Sequence, residues 1–525
     1  MLQGELKEDG GLSRTSFALK NVFVGVGGQI LSILIGIVTR MFFVRLLAEE
    51  YLGLNGLFSS ILTVLSFVEL GVGPAIVYSL YKPLAERDQE QIQALMALFR
   101  KAYVIIGIAV AVIGASLTPF LPVIIEDMPE NIPHIEVIYL LFVANTAVSY
   151  FFSYKKSLII ADQKQYVTTA YHYAFYVAMN VLQIIFLYIT RNYFAYLILM
   201  ISFTLLENIA ISRRADKMFP VIRGKCTAEL NPEYKKEITV NIKAIILHKI
   251  GLIVATAVDN ILMSKMFGLI VVGIYSNYLL IIAPLNAIGG QIFSFTASLG
   301  NLKVTTKDDR AVGVFRIMEF IDFWVYSFAA VCLFVLFNPF IKIAFGENFL
   351  FPMVTVSLIV LNFYVDGRRK ALLSLKDAYG LYYPDRFKPI VEAITKITLS
   401  ILLGWRLGVN GIFLGTLFSK MICVFVEPYV VYKYGLGWRY LGDYVKRYLL
   451  YFLLCVLFVM ITSLVASFMG NDGLLAFIGK FAVCLVLPNV LICLLFRKTE
   501  EFAWVASLAK RVFARGNRHK EDVAS

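Results

Sequence analysis

The stretch "LLYFLLCVLFVMITSLVASF", residues 449–468, holds no Asp, Glu, Lys, Arg or His anywhere along its length. Wound as an α-helix that rises about 1.5 Å per residue, a run of about 20 residues crosses the roughly 30 Å hydrocarbon layer of a bilayer. "IGIAVAVIGASLTPFLPVII" (106–125) repeats the pattern far upstream. Of the 525 residues, 59% are hydrophobic and 16% charged, against roughly 25% charged in ordinary soluble domains. A window of about 20 residues divides the chain into about 14 spans. They fall at 22–44, 57–80, 102–125, 135–153, 167–190, 193–212, 244–266, 269–299, 317–345, 351–367, 389–407, 410–432, 448–468 and 474–496. The sequence therefore predicts an all-α polytopic membrane protein.

Loop charge sets the expected orientation. The N-terminal tail and the even-numbered loops are basic, as in "KPLAERDQEQIQALMALFRK" (82–101), "YKKSLIIADQKQY" (154–166) and "RRADKMFPVIRGKCTAELNPEYKKEI" (213–238). The odd-numbered loops contribute mainly Arg45, Arg191, Lys265, Lys342, Arg406 and Lys480 out of 49 Lys and Arg. The positive-inside rule then places both termini in the cytoplasm. The same distribution explains the net charge of +13 without nucleic acid, since no single basic domain exists to hold a phosphate backbone. The N-terminus, "MLQGELKEDGGLSRTSFALK", lacks a signal-peptide cleavage pattern, so the first apolar segment is expected to stay in the mature protein.

An internal repeat organises the spans. Sliding the chain by about 220 residues pairs "RLLAEEYLGLNGLF" (45–58) with "KMFGLIVVGIYSNY" (265–278), and Arg87-Asp88 with Lys307-Asp308. Each half holds six spans of equal orientation, a parallel repeat whose substrate site is expected between the halves. The expected organisation is a cytoplasmic tail (1–20), an N-lobe of spans 1–6 (21–212), an inter-lobe loop (213–243), a C-lobe of spans 7–12 (244–434), spans 13–14 (435–496) and a basic cytoplasmic tail (497–525).

Several functions are disfavoured. The inside loops lack GxxxxGK[ST], GxGxxG and HExxH, which removes the usual nucleotide and zinc-peptidase signatures. The six cysteines form no CxxC pair, so no metal site and no cofactor is indicated. "GVGG" (25–28) reads as close helix packing by small residues. No outside loop is much longer than a dozen residues, too little for an outer-face polymerase or ligase.

Charged residues within spans are the functional candidates, because a charge at helix centre costs about 2.5–3.5 kcal/mol on insertion scales. Glu207, Glu319, Asp322 and Asp366 lie near cytoplasmic ends, where they can snorkel or pair with Arg213, Arg316 or Arg368. Glu392 and Lys396 stand at i,i+4 and can neutralise each other. The deeper group is Arg40, Glu69, Lys249, Asp259 and Lys420, with His248. Gln29 and Arg40 share one face of span 1, and their repeat partners in span 7 are Lys249 and Asn260; each pair is about 16 Å apart along its helix. His248 and Asp259 form a parallel stripe. These residues either line a basic cavity suited to an anion or, through an Arg40–Asp259 pair, only tie the halves together. In "FVELGVGPAIVYSLYKPLAERD" (67–88), Gly73 lies one turn from Glu69 and opens space beside it, and Pro74 removes a backbone donor, marking a hinge candidate.

Three stretches carry a family resemblance: "YLGLNGLFSSILTVLSFVELGVGPAIVYSLYKPLAERD" (51–88), "KDAYGLYYPDRFKPIVEAI" (376–394) and "GVNGIFLGTLFSKMICVFVEPYVVYKYGLGW" (408–438). They resemble Wzx-type polysaccharide flippases of the multidrug/oligosaccharidyl-lipid/polysaccharide exporter superfamily. The resemblance implies two six-helix lobes in a V that open alternately to each side of a bacterial plasma membrane. It implies a polyprenyl-diphosphate-linked oligosaccharide as substrate, with membrane lipids, a polysaccharide polymerase and other assembly proteins as partners. Arg40, Lys249, Lys420 and Lys396 become candidate diphosphate ligands; Glu69, Asp259, His248, Gln29 and Asn260 become candidate coupling or cavity groups. The sequence departs from an arginine-rich cavity, having one deep Arg and mostly Lys, which binds phosphate as a point charge rather than a fork. The competing readings are a cation-coupled multidrug exporter of the same superfamily, which Glu69 and Asp259 favour, and a non-transporting scaffold. Arg40→Ala is expected to abolish translocation of a lipid-linked oligosaccharide in reconstituted vesicles while leaving the fold intact; normal transport would remove Arg40 from the cavity.

Overall fold

The computed structural model describes residues 14–69, 72–126, 128–223, 232–292, 308–381, 383–470 and 473–507. These residues form helices and their connections, with no strand among them. The chain divides into two compact units, Met1–Gly273 and Ile274–Ser525.

The first unit contains α1 (Arg14–Leu46), α2 (Glu49–Leu65), α3 (Val72–Glu86), α4 (Gln89–Ser116), α5 (Ile135–Ala161), α6 (Gln165–Thr190), α7 (Tyr193–Met218) and most of α8 (Pro232–Ile292). Gly268, at φ 80° and ψ 175°, breaks α8 into two helices. Polar side chains set several helix starts. Asp88 caps α4 by accepting from the Gln91 N–H at 2.9 Å, and Asn192 caps α7 by accepting from Phe194 at 2.8 Å. The core of α3, α4 and α5 packs Ile76, Leu95, Phe99, Tyr103, Val110 and Leu158. The α8 segment up to Gly273 closes tightly on α2: a Cβ on Gly53 would overlap the Leu269 carbonyl.

The second unit contains α9 (Asp308–Ala344), α10 (Met353–Gly367), α11 (Lys370–Ala378), α12 (Lys388–Leu407), α13 (Val409–Val431), α14 (Leu441–Ser467) and α15 (Leu474–Phe496). Gly408, at φ 62°, reverses the chain between α12 and α13, a conformation that favours glycine. The two helices then meet backbone to backbone, because a Cβ on Gly411 would overlap the Leu403 carbonyl and one on Gly415 would overlap Ser400. Phe320, Phe323, Val331, Tyr451, Phe458 and Ile492 knit α9, α14 and α15 together.

Ten helices among the described residues are long and apolar enough to cross a membrane. The difference from about 14 spans has local causes. Span 2 is divided between α2 and α3; spans 7 and 8 run together across Gly268; α10 has only 15 residues; α12 carries Lys388, Glu392, Lys396 and Arg406. Span 4 also extends past its expected end at 153 to Ala161, so Lys155 and Lys156 belong to a helix rather than to a loop.

Gly415→Leu is expected to separate α12 from α13, at a cost of about 1–3 kcal/mol of overpacking strain. A lower thermal midpoint of the purified protein in detergent checks it, with Gly313→Leu, where a Cβ meets nothing within 4 Å, as the neutral comparison.

Candidate functional site

Span 2 does not run straight through the first unit. Regular α-helix stops at Leu65, a tighter turn covers Ser66–Glu69, and α3 begins at Val72. Pro74 falls in the first turn of α3, where a missing N–H costs no helical hydrogen bond. The break presents Glu69 to α4, and the Tyr103 hydroxyl donates to Glu69 Oε1 at 3.0 Å. Gly73 leaves room for this bond, since a Cβ there would come within 3.3 Å of Glu69 Oε1 and 3.2 Å of Tyr103 Oη.

Glu69 and Tyr103 open onto a cavity of about 490 Å³ that α3 and α5 complete with Tyr78, Tyr81, Lys156 and Ser157. The Tyr78 and Tyr81 rings meet edge to face at 6.5 Å and are 62% and 48% exposed. The cavity thus joins one carboxylate, one ammonium, several hydroxyls and two open aromatic faces. Neither Lys156 nor the tyrosines stand out in the sequence. Lys156 sits in a basic run that reads as a loop, but α5 continues through it, sending Lys155 to Asp216 at 2.8 Å and Lys156 to the cavity.

The other candidates of this unit have separate settings. Arg40 lies near the C-terminal end of α1, within electrostatic reach of Tyr176 on α6 and Tyr193 and Tyr196 on α7. Phe43, one turn on, packs edgewise on Tyr193 and Tyr196 at 5.8 and 5.3 Å. Gln29 Oε1 accepts from the Tyr173 hydroxyl at 3.2 Å. Asp259 and Asn260 are buried, and the Asn260 amide donates to Ser60 Oγ of α2 at 2.9 Å. His248 and Lys249 fall in the part of α8 whose side chains lie outside the described residues. Glu207 pairs with His172, 3.1 Å away on α6, rather than with Arg213.

In the second unit the candidates join a dense ion network. Arg369 holds Glu427 in a fork, Nη2 to Oε1 at 2.6 Å and Nε to Oε2 at 3.0 Å, and Lys388 also reaches Glu427. Arg369 further contacts Asp366 at 3.3 Å and Glu392 at 3.8 Å. Lys420 donates to the Asn362 carbonyl at 3.1 Å and stands 3.9 Å from Asp366. Lys396 is buried and also acts on Asp366. A neighbouring cluster sets Arg368 against Asp322 at 3.2 Å and Arg447 against Glu319 at 2.9 Å. Burial alone would lower the Arg369 guanidinium and the Lys388 ammonium, but the Glu427 carboxylate outweighs it and holds both above their ordinary values. Both are therefore charged at neutral pH, and their stabilising effect is lost only as pH rises through those raised values. Glu427 is the member that the sequence conceals: it looks like the polar end of span 12, yet it is wholly buried.

With this geometry in view, the comparisons with known proteins are informative about the fold. No protein-family model and no curated protein sequence matches the chain. Among solved structures, the lipid II flippase MurJ in an inward closed conformation aligns at TM-score 0.65 and 13% identity, covering 91% of this chain and 99% of its own. The chain has the fold of MurJ and of MATE transporters. An inward-facing multidrug resistance MATE transporter of the MOP superfamily aligns at TM-score 0.57 and 14% identity, covering 75% of this chain and 92% of its own. A MATE structure in the bent conformation aligns at 0.53 and 12%, covering 79% and 94%. At 12–14% identity these matches show the fold alone, a polytopic all-α architecture.

Arg369→Ala is expected to strip the buried Glu427 of its forked partner and leave it only Lys388 as a cation, costing up to about 3–5 kcal/mol. Replacing Arg369 and Glu427 together with Met and Leu is expected to cost less, and thermal unfolding of the two variants in detergent separates the cases. For Glu69→Gln, transport should lose its dependence on an imposed proton or sodium gradient; unchanged transport under every gradient would remove Glu69 from coupling.

Proposed function

We propose that this chain is a flippase that moves polyprenyl-diphosphate-linked oligosaccharide repeat units across the plasma membrane for cell-surface polysaccharide assembly. The observation that carries this reading is the mixed chemistry of the Glu69 cavity. A sugar presents hydroxyls that exchange hydrogen bonds with Glu69 and Ser157, and flat C–H faces that stack on rings such as Tyr78 and Tyr81. At about 490 Å³ the cavity falls within the roughly 300–1,000 Å³ of ordinary ligand sites. Lys156 adds a cation on the same wall, which favours an anionic carrier group and disfavours a cationic drug.

In this reading Arg40 and Lys249 of the first unit and Lys396 and Lys420 of the second are candidate diphosphate ligands, with phosphate replacing Asp366 as the partner of the last two. Both termini lie in the cytoplasm, and the tight turn at Ser66–Glu69, ahead of Gly73 and Pro74, is where span 2 bends as access alternates. The fold likeness to a lipid II flippase over most of the chain supports this reading. The second reading, a cation-coupled multidrug exporter, draws on Glu69 itself and on the likeness to MATE transporters.

Reconstituted vesicles loaded with a lipid-linked oligosaccharide distinguish them. Lys156→Ala is expected to slow translocation about tenfold or more, the loss of one charge-assisted contact worth about 1.5–3 kcal/mol. Efflux of cationic dyes with no movement of the oligosaccharide would instead establish the exporter.

A further inference from the structure

Five cysteines fall among the described residues, all as free thiols. Two of them meet across a helix pair of the second unit. Cys332 of α9 donates its S–H to the Cys484 carbonyl of α15 at 3.9 Å, and the two thiols lie in hydrogen-bond reach of each other.

A proline accounts for the meeting. Inside a helix, proline lacks the N–H that would bond the carbonyl four residues earlier. Pro488 stands inside α15, so the carbonyl it leaves without a helical donor is that of Cys484. The Cys332 thiol, a weak donor, supplies the missing bond. Val331, next to Cys332, and Ile492 pack in the core that joins α9, α14 and α15.

The two sulfurs differ in access. Cys484 is wholly buried, whereas Cys332 is only partly buried. A thiol shut into apolar packing is inert; an accessible thiol poised beside a second one can be oxidised and then resolved by its neighbour. Depth selects the oxidant. Cys484 is the eleventh of 23 residues in α15, about 15 Å from the helix start. Cys332 lies 12 residues, about 18 Å, before the end of α9. Both sit near the middle of the hydrocarbon, closed to charged oxidants such as glutathione disulfide and open to apolar ones.

We propose that Cys332 and Cys484 form a hydroperoxide-sensitive thiol pair that closes into a disulfide and ties α15 to α9. The Cys332 sulfur attacks the O–O bond of an organic or lipid hydroperoxide. That bond breaks, Cys332 becomes a sulfenic acid, and its thiol proton goes to the departing oxygen, which leaves as an alcohol. The Cys484 sulfur then displaces the hydroxyl of the sulfenic acid. Its own proton leaves with that hydroxyl as water, and the S–S bond forms. Two electrons pass from the thiol pair to one hydroperoxide.

Treating the full chain in lipid nanodiscs with cumene hydroperoxide and digesting it without reduction tests this. Mass spectrometry is expected to find the Cys332 and Cys484 peptides joined, and to find them separate after reduction. The oxidised protein should melt several degrees higher, because a disulfide constrains the unfolded chain. In Cys484→Ser, dimedone should trap a sulfenic acid at Cys332; in Cys332→Ser it should trap none at Cys484. Cys493→Ser, which removes the other partly buried thiol of α15, should leave the joining unchanged. Pro488→Ala, which returns the Cys484 carbonyl to its own helix, should slow it. Unjoined Cys332 and Cys484 in the wild type, after an exposure that converts the 44% exposed Met469 to its sulfoxide, would overturn the pair. A sulfenic acid at Cys484 in Cys332→Ser would overturn the order of attack.

Discussion

A carboxylate inside a bilayer must be paired or wetted, and this chain uses both solutions. Glu427 takes the first. Arg369 forks onto it, Lys388 adds a second cation, and no part of the residue is exposed. Glu69 takes the second, held by the Tyr103 hydroxyl with Tyr150 also in hydrogen-bond reach, and facing a cavity. A fully paired buried ion is stationary, because separating it costs several kcal/mol. One held only by neutral hydroxyls beside open space is available to a ligand or a proton. The contrast makes the Glu427 network a brace for α10 to α13 and, under the proposed function, the Glu69 cavity the working surface.

The two arrangements grow from different local sequence. Around Glu69, serine, glycine and proline in close succession interrupt the helix, and the interruption swings the carboxylate toward α4 and frees the space that Gly73 leaves. Around Glu427 the helix runs on through Pro428 to Val431. Glycines at 411 and 415 instead draw α12 and α13 into backbone contact, which brings Lys388, Glu392, Lys396 and Lys420 within range of Arg369 and its partners. Small residues thus do opposite things in the two units, loosening one helix and tightening a pair of others.

The membrane class and the apolar helices themselves were legible because a long uncharged apolar run suits a bilayer and little else. Glu69 and Gly73 were legible for a related reason, since a carboxylate stands out against an apolar background. Helix ends were harder, because helices continue past the hydrocarbon. Lys156 was hidden by that effect, sitting among basic residues that mark a loop on charge alone. Tyr78, Tyr81 and Tyr103 were hidden by number, three among 29 tyrosines. Lys396 and Lys420 were visible as single charges, but their common partner Asp366 depends on how α10, α12 and α13 pack, which no spacing within one helix reveals. Asn260 was visible as half of a polar stripe, whereas its bond to Ser60 depends on where α8 meets α2.

Whether the Glu69 cavity serves a lipid-linked sugar is tested most directly by measuring lipid-linked intermediates in cells that lack the chain or carry it with Lys156→Ala. A complete oligosaccharide on its polyprenyl diphosphate, accumulating on the cytoplasmic leaflet in both strains, is the expected result. Normal levels of every lipid-linked intermediate, together with heightened sensitivity to cationic drugs, would contradict it.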